Sequence, residues 1–108
     1  MVFYDPAGRT AKELFPGVVA RTFWGEHIMM ATVDLAPGVV VPFHHHTHEQ
    51  TGTVLAGELT FTIGDETKTL HQGELYIIPG NVEHSATAGA SGAQVLDVFH
   101  PVREEWQY

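Results

Sequence analysis

The chain has 108 residues, 44% hydrophobic and 17% charged, a size and balance that fit about one globular domain and exclude a disordered chain. No apolar run approaches the roughly 18–20 residues of a membrane-spanning helix, and the N-terminus MVFYDPAGRT lacks a basic-then-apolar signal pattern, so a cytoplasmic location is the default expectation. The formal net charge, 5 − 13 = −8, argues against nucleic acid or a membrane surface as partner, and the absence of cysteine restricts any metal site to His, carboxylate or amide ligands.

Residues 1–16 read as a mixed, polar N-terminal arm in which AKELF at 11–15 suits a single helical turn. From residue 17 onward the chain reads as short β segments at 18–24, 27–35, 39–43, 51–55, 58–63, 67–70, 75–78, 83–88 and 93–99. Turn signals separate them, among them Ala56-Gly57, Gly64-Asp65, Pro79-Gly80-Asn81 and the stretch from Gly89 to Gly92. Leu59, Phe61 and Ile63 alternate with Thr60 and Thr62, as a strand with one buried face requires. Such spacing predicts a sandwich or barrel. No amphipathic stretch of about 10–15 residues separates the strands, as a parallel α/β fold would need. The expected organisation is one all-β domain over 1–108, with a barrel at about 17–100 and a C-terminal tail at about 101–108.

Eight histidines are an excess for this length, and four of them stand in HHHTH at 44–48. The pattern is Gly38-x5-His44-x-His46-x3-Gln50-x6-Gly57, followed by Gly73-x5-Pro79-x-Asn81-x2-His84. Residues two apart on a strand share a face, so His44 and His46 can point into one cavity. Gln50 has the same parity, and His84 on a distant strand would close the set. Three imidazoles and one amide oxygen suit one divalent ion such as Ni, Zn, Mn, Co or Fe. The set is neutral, so such an ion keeps its full charge as a Lewis acid. His45 is out of phase and expected to face outward. His48 shares the parity but ranks below Gln50; it stays open as a ligand, a group behind the ligands or a turn residue. His27, His71 and His100 have no comparable partners and are expected to do nothing special.

The last strand carries a second constellation. Asp97 lies between apolar residues and shares a face with Val95 and Phe99, where a carboxylate is costly unless paired or used. Pro101 then ends the strand and can turn Arg103 back toward the barrel mouth. Two readings stand side by side: an Asp97–Arg103 surface ion pair over a core Phe99, or an acid, an aromatic and an arginine arranged beside the metal for an acidic sugar.

The two histidine-bearing blocks resemble the signature motifs of the cupin superfamily, whose members are small jelly-roll β-barrels. Gln50 stands where most cupins carry Glu, and Asn81 where they carry Gly; Asn tolerates the left-handed backbone that such a turn needs. The segments HHHTHEQTGTVLAGEL, IPGNVEH and DVFHPVREEW together resemble the KdgF family of pectin-degradation cupins from about Gly17 to Trp106. That resemblance implies catalytic roles for Asp97, Phe99 and Arg103. It also implies an enzyme that converts 4,5-unsaturated monouronates, released by pectin or alginate lyases, to open-chain 5-keto-4-deoxyuronates. Arg103 would hold the carboxylate, Phe99 would shape the pocket and Arg21, on the first barrel strand, is a further candidate for the carboxylate. A homodimer is expected by the same resemblance, with residues 1–16 as candidates for the contact. Two rivals share the barrel: a metal-dependent dioxygenase or other lyase, and a non-catalytic sugar-binding domain.

Overall fold

The computed structural model describes residues 2–108. Eight antiparallel strands account for most of it: β1 (Lys12–Phe15), β2 (Val18–Trp24), β3 (Met29–Leu35), β4 (Val40–His44), β5 (Glu49–Ile63), β6 (Glu66–His71), β7 (Leu75–Ile78) and β8 (His84–His100). Among the described residues no helix is long and apolar enough to cross a membrane.

Two long strands organise the molecule. The first half of β5 pairs with β7 and with the second half of β8, which in turn pairs with β3. The second half of β5 pairs with β6 and with the first half of β8, which also carries β4. Both strands therefore belong to two halves of the sheet and bend between them. The bend is marked by register shifts at Val54/Ala56 and Gly57/Leu59. Gly57 (φ 76°) and Gly92 (φ 81°) meet there in left-handed conformations, and a Cβ on Gly57 would lie 2.2 Å from the Gly92 carbonyl oxygen. The turns expected at 56–57 and 89–92 are thus bulges within continuous strands: pairing resumes beyond each glycine, so the ladder never ends there. The strand order runs β1-β2-β3-β8-β5-β6, with β4 on β8 and β7 on β5, so the expected jelly-roll is present as a bent sheet whose hydrogen-bonded ladder stays open.

The expected helical turn at 11–15 is instead β1, paired with β2 through Lys12↔Ala20 and Glu13↔Val19. Five residues gain too few intrahelical bonds to offset nucleation, whereas Gly17 (φ 84°) supplies a tight return onto the neighbouring strand. Inward residues alternate along β3 as Met29, Ala31, Val33 and Leu35, and the core continues through Val54, Leu59, Phe61 and Val95. Each fully buried aliphatic or aromatic side chain contributes about 1.5–3 kcal/mol. The same inward face, followed along β5 and β8, turns polar at Gln50, His84 and Asp97, which are buried among these apolar residues.

Candidate metal centre and its cavity

His44 and His84 are direct partners across the β4–β8 ladder, with ring centroids 4.2 Å apart. His46 follows on the loop after β4. The turn that begins the second motif clamps that loop: the Asn81 amide donates to the His46 carbonyl at 2.7 Å, and a Cβ on Gly80 would lie 2.6 Å from the Thr47 carbonyl oxygen. Asn81 takes the left-handed conformation expected of it (φ 66°). Each histidine offers one ring nitrogen to a common point, and those atoms lie within 4.8 Å of one another.

The hydrogen bonds decide which nitrogen that is. Nδ1 of His44 faces the Pro42 carbonyl at 2.9 Å, Nδ1 of His46 the His48 carbonyl at 3.0 Å, and Nδ1 of His84 the Val82 carbonyl at 2.9 Å. A carbonyl only accepts, so each Nδ1 carries the proton and each Nε2 is left with a lone pair. Nε2 of His84 is buried without a hydrogen-bond partner among the described residues. Nε2 of His46 sits 3.1 Å from Gln50 Oε1, two lone-pair atoms aimed into one space. A donor set that is preprotonated on its far side, orphaned on its near side and neutral fits a divalent cation. Burial, then the Arg103 charge and His84, lowers the His46 pKa to about 4, and burial also lowers that of His84. These imidazoles are therefore neutral, as ligands must be. His45 is exposed, and His48 contributes its carbonyl to His46 rather than a ring nitrogen to the cluster. His27, His71 and His100 are exposed on the outer surface.

A cavity of about 80 Å³ adjoins the cluster; His44, His84, Gln50, Asp97, Arg103 and Trp106 are among the residues that line it. It shares His44, Arg103 and Trp106 with a wider vestibule of about 300 Å³ bordered by β1 and the C-terminal tail. Asp97 is buried, and burial raises its pKa to about 6, against the opposing pull of Tyr76, Gln50 and the Arg103 charge. The Tyr76 hydroxyl donates to Asp97 Oδ1. Arg103 does not form the surface ion pair considered from sequence. Its Nε donates to Glu105 Oε1 at 3.1 Å, and its guanidinium lies 3.9 Å from the Trp106 ring centroid.

Two expected site residues lie elsewhere. Phe99 is fully buried and not on the cavity wall: it backs His46 and Trp106 edge-on, with ring centroids 6.0 and 5.1 Å away, and underlies Arg103. It therefore supports the site from behind. Arg21 faces outward between the inward Ala20 and Thr22 and pairs with Asp34 at 3.4 Å, because strand alternation sets it on the opposite side from the cavity.

The cupin domain profile matches residues 31–99, which span the whole cluster and Asp97. The chain belongs to the cupin family. Among curated relatives, a germin-like protein 3-8 from Oryza sativa subsp. japonica is 33% identical over 95 residues; the match takes in 82% of this chain but 40% of that protein. A solved RmlC-like cupin from Shewanella frigidimarina is 22% identical with a TM-score of 0.91, covering 98% of this chain and 96% of that one. KdgF from Halomonas sp. is 24% identical with a TM-score of 0.90, covering 97% of both chains. These two structures establish the cupin fold and nothing finer.

Three residues of this cupin site went unread in the sequence. Tyr76 stands on the core-facing parity of β7 with Ile78, and a phenol buried there needs a partner, which was the available signal. Gly52, inside a strand, marks a close approach. Trp106 lies in the tail, where no periodicity applies; Thr22 Oγ1 donates to its carbonyl at 2.6 Å and ties the tail to β2.

Proposed function

We propose that this cupin opens the ring of 4,5-unsaturated monouronates and yields the open-chain 5-keto-4-deoxyuronate. One observation carries the reading: a buried acid, Asp97, and an arginine, Arg103, line the same cavity as His44, Gln50 and His84 of the ligand cluster. The fold-level likeness to KdgF from Halomonas sp. supports it.

The substrate is a cyclic hemiacetal with a C4=C5 enol ether. Above about pH 6 the Asp97 carboxylate is ionised and can take the proton from the C1 hydroxyl. As C1=O forms, the bond between C1 and the ring oxygen breaks, and its electron pair passes to that oxygen as an enolate at C5. Asp97 then returns the proton to C4, giving the C5 ketone. Atoms balance as an isomerisation, and no redox cofactor is needed. A divalent ion held by His44, His46, His84 and Gln50 would supply Lewis acidity at the substrate oxygen that becomes negative. Arg103 holds the carboxylate at C6, its planar guanidinium packed against the Trp106 ring. The amide at Gln50 is chemically apt: a glutamate there would set a second carboxylate against Asp97 and repel the charge that must form on it.

In D₂O, early product should carry one deuterium at C4, be an isomer of the substrate apart from that label, and form without O₂ uptake. Oxygen consumption coupled to turnover would favour the dioxygenase instead. Removing the platform under Arg103 should act mainly on binding. Trp106→Ala is expected to raise KM about tenfold, in line with a cation–π contact worth about 1–2 kcal/mol when partly desolvated. Trp106→Phe should lie between it and wild type in steady-state kinetics.

A further inference from the structure

On the inner face of the sheet, Gly52 of β5 stands opposite Tyr76 of β7 on one side and opposite Asp97 of β8 on the other. The Tyr76 and Asp97 side chains lean toward each other across the glycine, and the phenol hydroxyl donates to Asp97 Oδ1. An ideal Cβ on Gly52 would lie 2.5 Å from the Tyr76 hydroxyl oxygen and 2.6 Å from Asp97 Oδ1. Any side chain at 52 would occupy the space in which the two groups meet. The pair is buried, and both residues line the cavity. Tyr76 also packs against Phe61, with ring centroids 4.7 Å apart, so its ring has a fixed wall behind it.

We infer that Tyr76 is a positioning residue for Asp97: reaching over the side-chain-free Gly52, its hydroxyl fixes one carboxylate oxygen and leaves the other to exchange the proton with substrate. This rests on the reading of Asp97 as the proton carrier. A carboxyl free to rotate about its last torsion presents its reactive oxygen in the productive direction only part of the time, and a hydrogen-bonded anchor on Oδ1 restricts that freedom. Burial and the neighbouring Asp97 carboxylate raise the Tyr76 pKa, so the phenol stays protonated and can act only as the donor of this pair. A merely structural hydrogen bond would satisfy two buried polar groups equally well but would leave turnover independent of it.

The test compares wild type, Tyr76→Phe, Gly52→Ala, Asp97→Asn and the double variant Tyr76→Phe/Asp97→Asn, each loaded with the same divalent metal. Tyr76→Phe should lower kcat roughly ten- to a hundredfold, with KM within about threefold of wild type and bound metal unchanged. Gly52→Ala should lower kcat at least as far, by pushing the hydroxyl and the carboxylate apart from the other side. In the Asp97→Asn background, adding Tyr76→Phe should cost nothing further. The Asp97 carboxyl ¹³C resonance, followed in parallel, should shift in Tyr76→Phe whether or not the protein turns over uronates. A folded, metal-loaded Tyr76→Phe with wild-type kcat, an equal loss in the Asp97→Asn background, or an unmoved Asp97 resonance would overturn the inference. Inactive wild type with a shifted resonance would instead overturn the proposed reaction and leave the anchoring of Asp97 standing.

Discussion

Replacing Asp97 with Asn is expected to cut turnover of unsaturated monouronates by about 10²- to 10⁴-fold, the range typical of a lost general acid–base group. The same change should make the metal-free protein more stable at neutral pH. Burial raises the folded-state pKa of Asp97 from 3.8 to about 6. Between those values the folded chain holds the proton more tightly than the unfolded chain does. The contribution of this group is therefore favourable below about pH 4 and is lost as pH rises through about 6. Above that, the folded protein holds a buried charge at a cost on the order of 3 kcal/mol. Asn fills the same volume, still accepts from Tyr76 and carries no charge. Metal-free wild type and Asp97→Asn should melt alike near pH 4 and diverge by several degrees at pH 7–8, with the variant higher. The lowered pKa values of His46 and His84 act with the opposite sign, but both proteins carry these residues, so the difference isolates residue 97. A variant that melts lower than wild type at pH 8 would contradict this, because it would mean that the Asp97 charge stabilises the fold.

Removing His84 is the second large effect. His84→Ala should weaken binding of a divalent metal by at least about a hundredfold, since an orphaned Nε2 is lost and the remaining donors no longer surround the ion. Wild type should gain about 2.7 kcal/mol of stability at a free metal concentration a hundred times Kd, and His84→Ala should gain almost none over the same titration. Protons compete with the metal for the imidazoles. Because the His46 pKa is lowered to about 4 and that of His84 is also lowered, metal should be retained through pH 6 and lost only as pH falls toward 4. Bound metal counted after equilibration across this range checks it. Release already complete at pH 6.5 would mean that burial does not hold His46 and His84 neutral.

How far all this was legible in the chain differs residue by residue. His44, His46, Gln50 and His84 could be read because parity and two independent motif spacings point to the same four residues, and the structure gathers them. Asp97 could be flagged because a carboxylate within an apolar alternation violates the cost of burial. The phase that sends Arg21 outward is also present in the chain, since Val18, Ala20 and Thr22 occupy the inward positions, and it is incompatible with a place for Arg21 beside the substrate. Glycines at 57 and 92 carry one signal for two outcomes, a turn or a bulge, and only the register of the partner strand separates them. Lys12–Phe15 became a strand because a neighbour lay ready to pair, which no local pattern reveals. Tyr76 and Asp97 sit 21 residues apart and meet across a third strand, so their hydrogen bond follows from topology rather than spacing.

The C4=C5 chromophore of a 4,5-unsaturated monouronate, followed with protein stripped of metal and then reloaded, tests the proposed ring opening most directly. Loaded wild type should remove the chromophore catalytically and give a product of unchanged mass, while stripped protein and loaded Asp97→Asn stay near the uncatalysed rate. A chromophore that persists with loaded wild type, or that disappears equally fast with stripped protein, would contradict it.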